Sequence, residues 1–236
     1  MKSNPTRKIK QGICAYCGAV GDVTSDHVIP QCLWPRRAPR DVPIVEACRQ
    51  CNHIEKSGND AYLRDLLVND QDALQSPLAQ KIRSKYIRSV LTNKSDMHRD
   101  LRNHGKIVET QRPSGLRVPY LVVEVAEKRT REILSLMVRG LHHYYLHEPL
   151  PKDVSFWIGR LRTKEQIERI SNDIVAYSGE YHRGAQQRTG DGTVFSCAYV
   201  EMIADEHITL WRLNFYGNVV FGVATNLIQV KEIAPE

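Results

Sequence analysis

The chain has 236 residues, 42% of them apolar, and a formal net charge of +6, a globular composition able to build a core as one large domain or two small ones. No apolar run approaches the roughly 20 residues of a membrane-crossing helix, and the start Met1-Lys-Ser-Asn-Pro5 lacks the apolar centre of a secretory signal. A soluble cytoplasmic protein with no membrane partner is therefore expected, and its six cysteines read as reduced thiols or metal ligands rather than three disulfides.

The charge is uneven. Residues 1–113 carry 19 Lys and Arg against 12 Asp and Glu, a net of +7, and residues 114–236 carry 14 against 15, a net of −1. Lys2, Arg7, Lys8 and Lys10 open the chain, Arg36, Arg37 and Arg40 follow, and then come Lys81, Arg83, Lys85 and Arg88. Such clusters can neutralise phosphates, although charge runs are commonly only solvated faces.

Residues 11–58 read as a module built around a metal. Cys14-Ala-Tyr-Cys17 and Cys48-Arg-Gln-Cys51 are two Cys-x-x-Cys pairs separated by 30 residues, and their four thiolates suit tetrahedral structural zinc. Val23–Val28 and Ile44–Ala47 are expected strands of a hairpin, the Pro- and Arg-rich stretch Pro30 to Pro43 its loop. A helix is expected to begin near Cys48 to Asn52. Asn59 or Asp60 is positioned to cap a further helical turn before Tyr62, Leu63, Leu66 and Leu67. Ser76-Pro77 opens another helix, whose stripe Leu78, Ile82, Tyr86 and Val90 runs to about Leu91.

Residues 95–115 are polar with little apolar periodicity and are expected to link residues 1–94 to a second domain over residues 116–236. In that domain Tyr120–Val125 reads as a strand. Ile133, Leu136, Met137, Gly140, Leu141 and Tyr144 fall on one helical face, and Thr163 with Gln166 forms a capping box for the next helix. Strand-like runs follow at Phe156–Ile158, Thr193–Met202, His207–Leu213 and Val219–Ala224, with turn residues at Gly190-Asp-Gly192 and Tyr216-Gly-Asn218. The fold class is thus α+β, with a mainly antiparallel second half.

The residues inside the cysteine frame are those phosphodiester hydrolysis requires. An imidazole ordinarily titrates near neutrality, so His27 suits a general base acting on water. Asp26 and Asn52 offer hard oxygens to Mg²⁺ or Mn²⁺, and Lys56, four residues beyond Asn52, lies on the same helical face within reach of a phosphate oxygen or leaving group. Neighbouring residues on a strand point to opposite sides, so Asp26 and His27 share a groove only if the strand bends, for which Pro30 is the nearby candidate.

Cys14-x-x-Cys17, Asp26-His27-x-x-Pro30 and Cys48-x-x-Cys51-Asn52-x-x-x-Lys56 resemble the zinc-stapled form of the HNH endonuclease family, whose catalytic unit is a ββα-metal, treble-clef-like fold. The resemblance implies that His27 is the general base, that Asp26 and Asn52 bind a catalytic divalent cation, and that the four cysteines hold structural zinc. Two departures stand out: Asp41-Val-Pro43-Ile lacks the Asn many members carry there, and Lys56 stands where some carry His. His53 and Asp60 are candidate replacement ligands.

The expected function is metal-dependent DNA endonuclease activity, with Arg36, Arg37 and Arg40 contacting nucleic acid. The alternatives are a catalytically silent zinc module binding DNA or RNA, or a sensor whose function lies in residues 114–236; a homodimer is left open. Weaker candidates are a helical histidine clasp among His142, His143 and His147, better read as structural, and a stacking platform from Trp157, Tyr199, Trp211, Phe215 and Tyr216, better read as core. Cys32 and Cys197 read as small buried apolar residues.

Overall fold

A computed structural model describes residues 10–91, 105–111, 115, 117–123, 127–177, 182–189, 191–202 and 207–226. Strands β1 (Lys10–Ile13), β2 (Val20–His27) and β3 (Ile44–Cys48) form an antiparallel sheet in that order. The expected hairpin is β2–β3. β1 was not expected, because Lys-Gln-Gly-Ile has no alternation to mark it. Thr24 pairs with Ala47 and Asp26 with Val45; Val45 and Ala47 are buried, so this face of β2 looks inward.

A π-helical segment over Gln50–Lys56 runs straight into α1 (Ser57–Asn69). The helix expected to restart at Asn59 or Asp60 has no such start: both residues lie inside a continuous helix, where there is no free end to cap. Asn59 Nδ2 instead donates to the carbonyl of Glu55 at 2.7 Å. Tyr62, Leu63 and Leu67 are buried. After a 3-10 turn at Ala73–Gln75, α2 (Pro77–Leu91) begins where Ser76-Pro77 predicts. It buries Ala79, Ile82 and Tyr86 and leaves Lys81, Lys85 and Arg88 exposed; the side chain of Val90 lies outside the described residues.

Residues 105–111, placed in the linker by their polarity, form β4 (Gly105–Gln111), paired antiparallel with β5 (Arg117–Val123). Partner strands can stabilise a segment whose own composition is neutral, which is why polarity did not reveal it. Residues 95–104 of the expected linker, and Glu124 and Val125 of the expected strand, lie outside the described residues. The helix α3 (Glu127–Leu146) buries Ile133, Leu134, Met137, Val138 and Leu141. It leads to β6 (Phe156–Leu161), α4 (Lys164–Tyr177), β7 (His182–Thr189), β8 (Phe195–Met202), β9 (Thr209–Phe215) and β10 (Val219–Thr225).

The last five strands form an antiparallel sheet ordered β6-β10-β9-β8-β7. The capping box of α4 is present: Gln166 N–H donates to Thr163 Oγ1 and Thr163 N–H to Gln166 Oε1, both at 3.2 Å. Tyr216 (φ 54°) and Gly217 (φ 80°) take the left-handed conformations of a tight hairpin turn between β9 and β10. β7, His-Arg-Gly-Ala-Gln-Gln-Arg-Thr, was not expected either, because an edge strand rich in polar residues lacks an apolar face.

One apolar core joins the two halves, from Cys14 and Tyr16 through α3 to Trp211 and Val223. α3 comes closest at Gly140, where a Cβ would stand 2.9 Å from Tyr16 and Val28. Tyr216 Oη donates to the Leu33 carbonyl at 2.8 Å. Arg129 lies 4.1 Å from the centre of the Tyr62 ring and donates to Asn59 Oδ1 at 3.1 Å. No helix of the described residues is long and apolar enough to cross a membrane.

Candidate functional site

The cysteine frame closes. Cys14 and Cys17 sit on a knuckle after β1, where Gly18 takes φ 71° and its N–H reaches the Cys14 carbonyl at 2.8 Å. Cys48 ends β3, and Cys51 lies one residue into the π-helical segment. The four Sγ atoms lie within 4.8 Å of one another, with Cys17 and Cys48 at 3.9 Å. Tetrahedral zinc with Zn–S bonds of about 2.3 Å sets its sulfurs ~3.8 Å apart, so the cluster fits a structural metal such as zinc. The Cys51 thiol donates to Cys14, drawing the Cys14 thiol down to about 4 and pushing Cys51 up; burial raises Cys17. A divalent ion would favour ionisation of all four.

Next to this frame lies a buried ionic network. The carboxylate oxygen Oδ2 of Asp26 accepts from Tyr16 Oη at 2.6 Å and from Lys56 Nζ at 2.8 Å. Lys56 also donates to the His27 carbonyl and stands 3.9 Å from Asp60. Its side chain is only 4% exposed. Burial, and then the Asp26 charge, raises the Tyr16 phenol well above its ordinary range. Burial likewise pushes the Asp60 carboxyl up to about 6, against the opposing pull of Lys56. Asn52 is buried and donates from Nδ2 to Thr24 Oγ1 at 3.1 Å.

Asn52 and Lys56 do share a face: they meet Thr24 and Asp26, two residues apart on the inward side of β2. The phosphate contact expected of Lys56 is not made available by this geometry, because its ammonium is turned inward onto Asp26 and the His27 carbonyl. Regular pairing continues through His27, opposite Ile44. Alternation therefore places His27 on the side of Ile44, which is 46% exposed, and Asp26 on the side of buried Val45. The bend expected before His27 is absent from the pairing. The His27 ring instead meets Gln31, whose Nε2 donates to His27 Nε2 at 2.9 Å.

Arg36, Arg37 and Arg40 are exposed in the loop between β2 and β3. Lys85 donates to the Pro35 carbonyl at 2.5 Å, so this loop and the exposed basic face of α2 adjoin. Lys2, Arg7 and Lys8 lie outside the described residues. His53 is exposed. Sequence reasoning missed Tyr16, Thr24 and Gln31. Two had a signal: Tyr16 is locked inside the first cysteine pair, and Thr24 precedes Asp26 by one strand repeat.

Tyr199, Trp211, Phe215 and Tyr216 are core, and Trp157 packs partly buried against a second apolar cluster. Tyr199 stacks between Tyr145 and Trp211, with ring centres at 5.4 and 4.7 Å, and Phe215 and Tyr216 are buried. Cys32 and Cys197 are free thiols, each pushed up to about 12 by burial, and Cys32 Sγ donates to the Asp60 carbonyl at 3.3 Å. No protein family, curated protein or solved structure matches this chain.

Proposed function

We propose that the protein is an HNH-type, metal-dependent endonuclease hydrolysing DNA. The observation that carries this is the convergence at Lys56, whose Nζ joins Asp26 Oδ2 and the His27 carbonyl beside Asn52 and the four-thiol cluster. The donor set suits a hard cation: both hydrogen bonds to Asp26 fall on Oδ2, and Asn52 commits its Nδ2 to Thr24. Asp26 Oδ1 and Asn52 Oδ1 are then the oxygens that would hold Mg²⁺ or Mn²⁺. When bound, such an ion would neutralise charge developing on the phosphate.

In this proposal His27 takes a proton from the attacking water at the ring nitrogen that Gln31 covers, so Gln31 must yield as substrate arrives. Tyr16 and Lys56 hold the Asp26 carboxylate in place, making Lys56 a positioning residue. The exposed Arg36, Arg37 and Arg40, continued by Lys81, Lys85 and Arg88, bind DNA phosphates. Nicking of supercoiled plasmid with Mg²⁺, Mn²⁺ or EDTA tests the proposal. His27→Ala should lower the rate by roughly 10²-fold or more with DNA affinity nearly unchanged. Equal nicking by folded His27→Ala protein would sink it.

A second reading, a silent zinc-stabilised DNA- or RNA-binding module, draws on two observations. The Lys56 ammonium already neutralises Asp26, and strand alternation separates His27 from that carboxylate. Nucleic acid binding without cutting, under every divalent ion, would favour it.

A further inference from the structure

Far along the chain from the cysteine frame, α3 and the five-stranded sheet enclose a second set of metal-type donors. His142, Glu148 and Glu201 each offer one ligand atom, and these atoms lie within 4.8 Å of one another. His142 is 0% and Glu201 3% exposed at the side chain. The i, i+4 pair of His143 and His147 is not the cluster. α3 ends at Leu146, and His147 turns off it with φ 65°, its N–H bonded to the His143 carbonyl at 3.0 Å. That turn sends the chain back so that Glu148 returns beside His142.

The hydrogen bonding around the histidine suits a metal. His142 Nδ1 donates to the Glu148 carbonyl at 2.9 Å, which fixes the tautomer and directs Nε2 toward Glu201, 3.7 Å away. A ligating histidine commonly donates its other ring N–H to a carbonyl in this way. Two ligands of tetrahedral zinc stand about 3.3 Å apart, a few tenths of an ångström less than the 3.7 Å between His142 and Glu201, and all three ligand atoms fall within 4.8 Å. The returning loop is held on its far side by Arg139, which donates to the carbonyls of Leu150 at 2.9 Å, Pro151 at 2.8 Å and Lys152 at 3.1 Å. Glu201 comes from β8, whereas His142 and Glu148 come from α3 and the turn after it.

We propose that His142 Nε2, Glu148 and Glu201 form a second divalent-metal site, separate from the four thiols, that clamps the end of α3 to β8. One imidazole and two carboxylates suit Zn²⁺ or Mn²⁺. The site stands whether or not the protein cuts DNA.

Zinc content of the full chain, measured after equilibrium dialysis against Zn²⁺, should reach two equivalents. Glu148→Gln and Glu201→Gln should each weaken the second equivalent by ~10-fold or more and leave the first in place. Loaded with Co²⁺, the second equivalent should give only weak visible bands, without the ultraviolet thiolate charge transfer of the first. The second equivalent should raise the melting temperature of the wild type and not of Glu148→Gln. A wild type that stops at one equivalent with Zn²⁺, Mn²⁺ and Co²⁺ alike would overturn the proposal, leaving His142 and Glu201 as a buried ion pair. So would two equivalents at wild-type affinity in Glu148→Gln, whose half-buried side chain makes it the decisive variant if Glu201→Gln fails to fold.

Discussion

The cysteine frame and the five-stranded sheet reach closure by different means. Around the frame, three short strands and a π-helical turn meet at thiols and buried charges, with Lys56, Asp26 and Tyr16 in the interior. Around the sheet, closure is apolar: Trp211, Phe195 and Phe215 are among the largest wholly buried side chains, and Tyr145, Tyr199 and Trp211 stack in series. The frame is the region whose folding should depend on a metal, because a module of that size has little apolar area to offset its chain entropy. Asp26, Asn52 and Lys56 lie beside the four-thiol cluster, where buried polar groups rather than aromatic packing fill the interior.

Removing the metal should have the largest effect. Structural zinc contributes on the order of 10 kcal/mol of folding free energy, so chelation, or Cys51→Ser, should bring amides of β1, β2 and β3 to unprotected hydrogen exchange. Amides of β8, β9 and β10 should stay protected. Loss of protection throughout would break the comparison and make the shared core one cooperative unit.

The sheet should answer in turn to Trp211→Ala, which removes a 0% exposed side chain and the donor to Thr209 Oγ1 at 2.7 Å. A loss of roughly 3–5 kcal/mol in urea unfolding is expected, with zinc content unchanged. A smaller loss, roughly 3 kcal/mol, is expected for Lys56→Met, which leaves the Asp26 carboxylate facing Tyr16 alone. In the proposed mechanism Lys56 positions Asp26, so the same variant should need more Mg²⁺ for half-maximal nicking. An unchanged requirement would remove that positioning role from the proposed mechanism.

The smallest effect concerns Asp60. Its carboxyl is raised from an ordinary 3.8 to about 6, chiefly by burial, so the folded state holds that proton more tightly than the unfolded chain. The associated stability is present below about pH 4 and is lost as pH rises through about 6. Asp60→Asn should therefore be more stable than wild type by roughly 1 kcal/mol at pH 7, after allowance for solvent screening of a partly exposed side chain. The gain should vanish near pH 4. A constant difference between the two pH values would show that burial of this carboxyl carries no such cost.

What the sequence by itself determined was local. The Cys-x-x-Cys spacing carried the four-thiol cluster because each pair is local, the first on the knuckle after β1 and the second where β3 passes into the π-helical segment. Ser76-Pro77 and the Thr163–Gln166 box carried helix starts because capping involves residues three or four apart. The β2–β3 pair and the strands β8 to β10 were legible as short runs of β-branched and aromatic residues bounded by turn residues, with β9 alternating in burial and β10 buried throughout. Tertiary structure decided the rest. β1, β4 and β7 owe their extended state to partner strands, which neutral or polar segments do not announce. The inward turn of Lys56 was settled by long-range pairing with Asp26, 30 residues earlier, since an ammonium beside a buried carboxylate gains more there than in water. The cluster of His142 and Glu148 with Glu201 depends on a helix end meeting a strand more than fifty residues on, a juxtaposition that no local spacing encodes.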